Sequence, residues 1–144
     1  MDTTAIREAM ESMWEAYNQR DIERWISFCA PDVAVRDLGG LVIDSRDEFK
    51  DYVRAWFDFS TDAKVTVVRT IVEGRFAAAE LSLAGTHDAA PLYGLDATGL
   101  HLENTWAIHV EIADGLIVGL MIFSNPARFP AQLGLMDAPP VRPD

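Results

Sequence analysis

The segment that most constrains the fold is 100–135, LHLENTWAIHVEIADGLIVGLMIFSNPARFPAQLGL. Ala113-Asp114-Gly115 splits it into two runs of alternating character. An Asp-Gly step between apolar runs favours a tight hairpin, because such turns need φ > 0 and glycine takes it without steric cost. The spacing therefore predicts two long antiparallel strands. Before the turn, Trp106, Ile108, Val110 and Ile112 alternate with Thr105, Ala107, His109 and Glu111; after it, Leu120, Ile122 and Ser124 alternate with Gly119, Met121 and Phe123. Neither strand carries a fully polar face. The sheet is expected to be covered on both sides, by helices or a ligand cavity on one and by another subunit on the other.

Elements upstream of this hairpin follow from periodicity and capping. Residues 3–19 predict a first helix with Thr3 or Thr4 as N-cap, and Ile6, Met10, Met13 and Tyr17 recur at helical spacing on one stripe. A second helix is expected from Asp21 to about Cys29, burying Ile22, Trp25, Ile26 and Cys29, with Pro31 ending it. Val33–Val35 then lead in extended form to Asp37, and Gly39-Gly40 reverses the chain. Ser45 and Glu48 form a capping box, opening a third helix whose inner side is Phe49, Tyr52, Val53, Trp56 and Phe57. From Lys64 the pattern becomes strands, 64–72 and 75–85, joined at Glu73-Gly74, and a polar connection, THDAAPLYGLDATG, leads to the hairpin. Residues 1–136 read as one domain, and the proline-rich tail 137–144 as loose.

Charge and cysteine usage narrow the partners. Twelve Lys and Arg against 23 Asp and Glu leave a net charge of −11. That field repels phosphates, so neither nucleic acid nor an anionic membrane is an expected partner. Cys29 is the one cysteine, which excludes an internal disulfide and fits a reducing cytosol. Residues 1–20 lack the apolar core of a signal peptide, and no run is long enough to span a membrane. The expectation is a cytoplasmic α+β domain.

Helices followed by a bent antiparallel sheet, together with GTHDAAPLYGLDATG, ADGLIVG and NPARFPAQLG, resemble the SnoaL-like polyketide cyclase family of the NTF2-like, ketosteroid-isomerase-like superfamily. DIERWISFCAPDVAVRD is similar to that family's second helix and first strand, ending at Asp37. The resemblance covers nearly the whole chain. It implies an α+β cone, three N-terminal helices packed in a strongly curved antiparallel sheet. It does not fix the reaction, because this fold hosts isomerases, cyclases, epoxide hydrolases, dehydratases and inert binders.

By resemblance, the strand positions facing into the cone are Leu120, Ile122 and Ser124, then Asn104, Trp106 and Ile108, then Ala78, Glu80 and Ser82. Alternation makes each set self-consistent, and a one-residue slip would swap it to the other face. The first helix would offer Met13 and Tyr17, and the third Tyr52, Val53 and Trp56. Asp37 stands where ketosteroid isomerases carry their general base, or else is a solvated turn aspartate before Gly39-Gly40. The isomerase's oxyanion tyrosine and protonated acid correspond to Met13 and Ile108, and the aldol cyclases' catalytic His and Asp to Leu120 and Ile122. The chain thus lacks the acid–base sets of both.

Glu80 is expected in the cavity with Arg69 able to pair with it, as a positioned carboxylate or as half of a structural ion pair. Asn104 and Tyr17 are candidate donors to a substrate carbonyl, Tyr17 alternatively a core residue. His87, His101 and His109 lack metal-ligand spacing, with His109 facing outward and His87 read as strand-end architecture, so neither metal nor cofactor is expected.

Three functions remain open. The first is a cofactor-free cyclase templating an apolar polyketide-type intermediate, since the family includes cyclases proposed for cycloaddition-type closures such as indane formation. The second is acid–base chemistry by Asp37, as isomerase, dehydratase or epoxide-opening cyclase. The third is a non-catalytic binder or assembly module. Ala107, Ile117, Met121 and Phe123 on the outer sheet face predict a homodimer.

Overall fold

A computed structural model describes residues 1–137, so the tail expected to be loose lies, apart from Asp137, outside the described residues. Four helices and six strands follow in the order α1 (Thr3–Asn18), α2 (Ile22–Ile26), β1 (Cys29–Asp37), β2 (Val42–Ile43), α3 (Arg46–Asp58), β3 (Lys64–Glu73), β4 (Phe76–Thr86), β5 (His101–Ala113), β6 (Leu116–Phe123) and α4 (Arg128–Gln132). No helix among the described residues is long and apolar enough to cross a membrane.

Asp2, rather than either threonine, caps α1, its Oδ1 accepting the Ala5 N–H at 2.8 Å. The expected stripe of Ile6, Met10, Met13 and Tyr17 is buried. Asp21 caps an α2 that stops at Ile26, so Cys29 begins β1 instead of ending a helix. Pro31 lies exposed inside β1, where the register against β6 slips between Cys29 and Ala34. A residue without an N–H is tolerated at such an irregularity, because no ladder bond is demanded of it. Ser45 caps α3 as expected, Oγ accepting the Glu48 N–H at 3.2 Å, and Phe49, Val53 and Phe57 are its buried side.

The sheet runs β2-β1-β6-β5-β4-β3, antiparallel except where β1 lies parallel to β6. The central hairpin turns through Asp114 (φ 52°) and Gly115 (φ 78°), the two left-handed residues its turn chemistry requires. Pairing of β5 with β6 stops at Ala107–Phe123. Beyond that point α4, not foreseen in the sequence, borders the start of β5. The Gln132 amide there bonds both backbone groups of Glu103, at 2.9 and 3.0 Å, and Arg128 bonds the Glu103 carboxylate at 3.2 Å.

Ala77, Ala79, Leu81 and Leu83 of β4 are buried against the helices, whereas Ala78, Glu80 and Ser82 lie on the outer face. The expectation for this strand was out by one residue. A second slip, between Glu111 and Ile112, turns Ile117 inward, where it is 4% exposed, so Ile117 is not part of the outer surface. Ala107, Met121 and Phe123 remain outside.

Gly85 marks a close approach of β4 to the residues preceding β3. A Cβ there would sit 2.6 Å from Ala63 Cβ and 2.7 Å from Ala63 Cα. Backbone cannot yield as a flexible side chain does. Gly85→Ala should therefore destabilise the fold by about 1–3 kcal/mol, read as an earlier urea midpoint with unchanged slope.

Candidate active site

The interior of the cone is closed by apolar packing. Met13, Leu81 and Leu102 are 0% exposed and Ile108 is 2% exposed. At the β1–β6 end of this inner face Asp37, Trp56, Trp106 and Ile122 are half-buried and Tyr52 and Tyr93 are exposed. This is the mouth, a shallow aromatic opening and not a deep chamber.

Each side of the mouth has a local cause. Asp37 follows Val33 and Val35 on the inward face of β1 and pairs in register with Ile122. Its Oδ1 accepts the N–H groups of Gly39 and Leu41, both at 2.8 Å, which fixes the carboxylate over the turn. Asp37 thus organises the turn, as the turn-aspartate reading expects, while standing on the inner face of β1. Tyr52 and Trp56 lie one turn apart on α3. Burial raises the Tyr52 hydroxyl pKa above the ordinary tyrosine value, and the negative charge of Asp37 raises it further, so Tyr52 stays a protonated donor beside a carboxylate. Trp56 stacks on Phe129 of α4 at 5.4 Å and takes the edge of Tyr93 at 6.2 Å. Trp106 packs edge-on against Trp14 at 5.8 Å.

The loop carrying Tyr93 is tied down at several points. His87 is 0% exposed. Its Nε2 lies 3.1 Å from the Ala90 carbonyl, which can only accept, so the bonding assigns the proton to Nε2. Nδ1 then accepts from the Thr98 hydroxyl at 3.0 Å and the Thr98 N–H at 3.3 Å. Ala89 and Ala90 donate to the Phe59 and Asp58 carbonyls at the end of α3. Leu92 and Leu95 exchange both backbone bonds around Tyr93 (φ 49°) and Gly94 (φ 75°), a two-residue turn that lifts the tyrosine onto Trp56.

Asp62 and Asp88 clasp the base of this loop. Asp62 accepts from Thr86 N–H and Oγ1 at 2.7 and 2.9 Å, and Asp88 from Thr61 N–H and Oγ1 at 2.8 and 2.6 Å. Hydrogen bonds to the ionised forms hold both carboxyls below the usual range. A depressed carboxyl stabilises the fold above its unfolded pKa, and that contribution is lost as pH falls through the folded value. Exchange protection of the Thr61 and Thr86 amides should therefore be full at neutral pH and fall off below the ordinary aspartate value of 3.8.

Several expected site residues stand elsewhere. Glu80 and Arg69 pair at 3.0 Å on the outer face, with side chains 42% and 68% exposed, and Ser82 is beside Thr105 on that face. The bulge in β3 between Val67 and Arg69 and the inward parity of Leu81 and Leu83 force this placement. Tyr17 is 3% exposed and donates its hydroxyl to the Trp56 carbonyl at 2.7 Å. Burial pushes that hydroxyl up to about 12. It closes a free carbonyl in the last turn of α3 and has no proton left for a substrate. Met13 is core, and Ser124 is exposed past the end of β6. Asn104 shares the inner face with Trp106, its Oδ1 accepting the Thr105 N–H at 2.9 Å. Ile108, Leu120 and Ile122 face inward, Ile108 opposite Ile122 and Leu120 opposite Val110. The mouth therefore gathers Asp37, Tyr52, Trp56, Trp106 and Ile122. Tyr93 and Phe129 join them, the first hidden in the connection PLYGLD and the second in the unforeseen α4.

Comparison with known structures places this arrangement. The chain is similar to the candidate hydroxylase AclR from Streptomyces galilaeus, with TM-score 0.85 and 18% identity over 96% of this chain and 87% of that one. It is similar to TsrD from Streptomyces laurentii, with TM-score 0.81 and 23% identity over 94% and 99% of the two chains. At these identities the likeness shows the fold alone. IdmH from Streptomyces antibioticus, a candidate polyketide cyclase, is similar with TM-score 0.72 and 26% identity over 89% of this chain and 97% of that one. No curated protein sequence matches the chain. The profile of the SnoaL-like domain matches residues 10–120, more than three-quarters of the length. With its N-terminal helices, curved six-stranded sheet and that match, the chain belongs to the SnoaL-like domain family.

Proposed function

We propose that this protein is a cofactor-free cyclase of an apolar, polyketide-type intermediate, acting by holding a flexible substrate in one folded shape at the mouth. The observation that carries this reading is the makeup of the inner sheet face. Among the described residues Asp37 is its one charged side chain, set against Trp56, Trp106 and Ile122. An aromatic wall with a single carboxylate suits a ring closure whose barrier is largely conformational entropy, because restraining the substrate lowers that barrier without proton transfer. IdmH's candidate role as a polyketide cyclase lends support.

A second reading keeps the same substrate and makes Asp37 a general base, with the Tyr52 hydroxyl as a nearby donor to the substrate. Its support is the protonated Tyr52 hydroxyl held close to the Asp37 charge. Asp37→Asn separates the two, since asparagine keeps an acceptor for Gly39 and Leu41 but cannot take a proton. Turnover of the uncyclised precursor should stay within about threefold of wild type if the step is conformational; a drop of about 10²–10⁴-fold would transfer the protein to the acid–base class.

The proposal includes a homodimer through the outer face of the sheet. That face carries a recess of about 540 Å³ lined by Ala34, Ala78 and Gly119 and walled by Ile71 and Phe76, which stand 61% and 51% exposed. Hollow and projection on one surface meet the self-complementarity that a two-fold interface needs. Light scattering should give twice the 16.0 kDa of one chain, and Gly119→Arg should halve it. A wild-type monomer at micromolar concentration would contradict the dimer.

A further inference from the structure

We propose that Asp37, Tyr52 and Tyr93 form a polar collar at the mouth that selects an apolar ligand ending in a neutral hydroxyl and rejects one ending in a carboxylate. This rests on the reading of the mouth as an apolar ligand site and adds which end group that ligand carries.

Position argues first. Tyr93 is the tip of a two-residue turn in which it adopts φ 49°, a backbone conformation that side chains with a Cβ rarely take. The turn is closed by paired Leu92–Leu95 bonds of 3.0 and 2.9 Å. His87, Ala89 and Ala90 anchor it to the end of α3. This framework brings a 48% exposed tyrosine against the ring of Trp56. Packing alone does not call for a phenol at such an exposed tip. On the facing turn of α3 Tyr52 is 41% exposed, and its surroundings include the Asp37 carboxylate. Tyr93 packs on Trp56, which stands one helical turn from Tyr52, so the two phenols border the same indole; both are protonated at neutral pH, as ordinary tyrosines are, and burial raises each hydroxyl further.

Chemistry then fixes the ligand's end group. Two phenol O–H groups can donate to an oxygen, and Asp37 can accept a hydrogen through Oδ2, because only Oδ1 bonds the Gly39 and Leu41 N–H groups. A hydroxyl satisfies both demands at once, accepting from a tyrosine and donating to the carboxylate. A ligand carboxylate offers no hydrogen and meets Asp37 as a like charge. The chain's net charge of −11 adds to that repulsion.

Equilibrium dialysis at neutral pH with three probes of one shape tests this: 2-naphthol, 2-naphthoate and 2-methylnaphthalene. The wild type should bind 2-naphthol about tenfold or more tighter than 2-naphthoate. Tyr93→Phe and Tyr52→Phe should each weaken 2-naphthol about three- to tenfold, the effect of one lost hydrogen bond, and leave 2-methylnaphthalene unchanged. Asp37→Asn should narrow the gap between naphthol and naphthoate. Retained 2-methylnaphthalene binding also reports that each variant is folded. Equal affinity for naphthol and naphthoate, or unaltered naphthol binding in both phenylalanine variants, would overturn the collar while leaving the apolar site intact. Failure of every probe to bind the wild type would overturn the apolar site itself, and the collar with it.

Discussion

Trp106→Phe should stay folded and turn over its substrate more slowly or with blurred product selectivity, whereas Trp106→Ala should lose about 3–5 kcal/mol of stability. Trp106 follows Thr105 on β5, just where pairing with β6 ends, so its indole is half in the core and half in the mouth. The buried half meets Trp14 edge-on at 5.8 Å and lies opposite Leu81 across the strands. Truncation to alanine removes that packing and leaves a cavity next to a 0% exposed Leu81. Phenylalanine keeps much of the apolar volume and removes one ring of the indole together with its N–H. Urea unfolding separates the two variants, and product analysis of the phenylalanine variant reads the functional part. A well-folded Trp106→Phe with unchanged rate and product would make Trp106 a core residue only.

His87→Ala should cost about 2–4 kcal/mol, the sum of a cavity at a fully buried ring and of hydrogen-bond partners left unpaired. Both ring nitrogens are in use, and the partners stranded by the change are the Ala90 carbonyl and the Thr98 N–H. These two groups bracket the turn that carries Tyr93, so the loss should concentrate in residues 88–100. Hydrogen exchange should show the Gly99 amide, which bonds the His87 carbonyl at 2.8 Å, losing protection first. A destabilisation below about 1 kcal/mol, with the loop still protected, would mean that the anchors at Ala89 and Ala90 suffice alone.

Much of this architecture was legible because local chemistry and tertiary structure agree. Asp114-Gly115 demanded two left-handed residues and formed them, and Ser45 capped α3 through a bond to Glu48. The family resemblance, kept self-consistent by alternation, put Asn104, Trp106, Ile108, Leu120 and Ile122 on the inner face of β5 and β6, where the pairing has them. The misses have distinct causes. In FAAAELSLAG three alanines carry no facing information, and the resemblance led Glu80 inward where the parity of Leu81 and Leu83 sends it out. Tyr17 was read on the correct stripe, but its hydroxyl partner is the Trp56 carbonyl, 39 residues away, which no local pattern discloses. Tyr93 had only one weak signal, the glycine after it in Leu-Tyr-Gly-Leu. Phe129 depended on α4, whose five residues are too few for a helical period to stand out.

The central claim is that the mouth shapes a substrate without adding or removing atoms. Deleting the gene in its native host and weighing what accumulates tests that claim most directly. A conformationally templated ring closure converts one isomer into another, so the accumulated compound should have the same mass as the missing product and lack one ring. An accumulated compound that differs from the product by the mass of water, or an unchanged metabolite profile, would contradict the account.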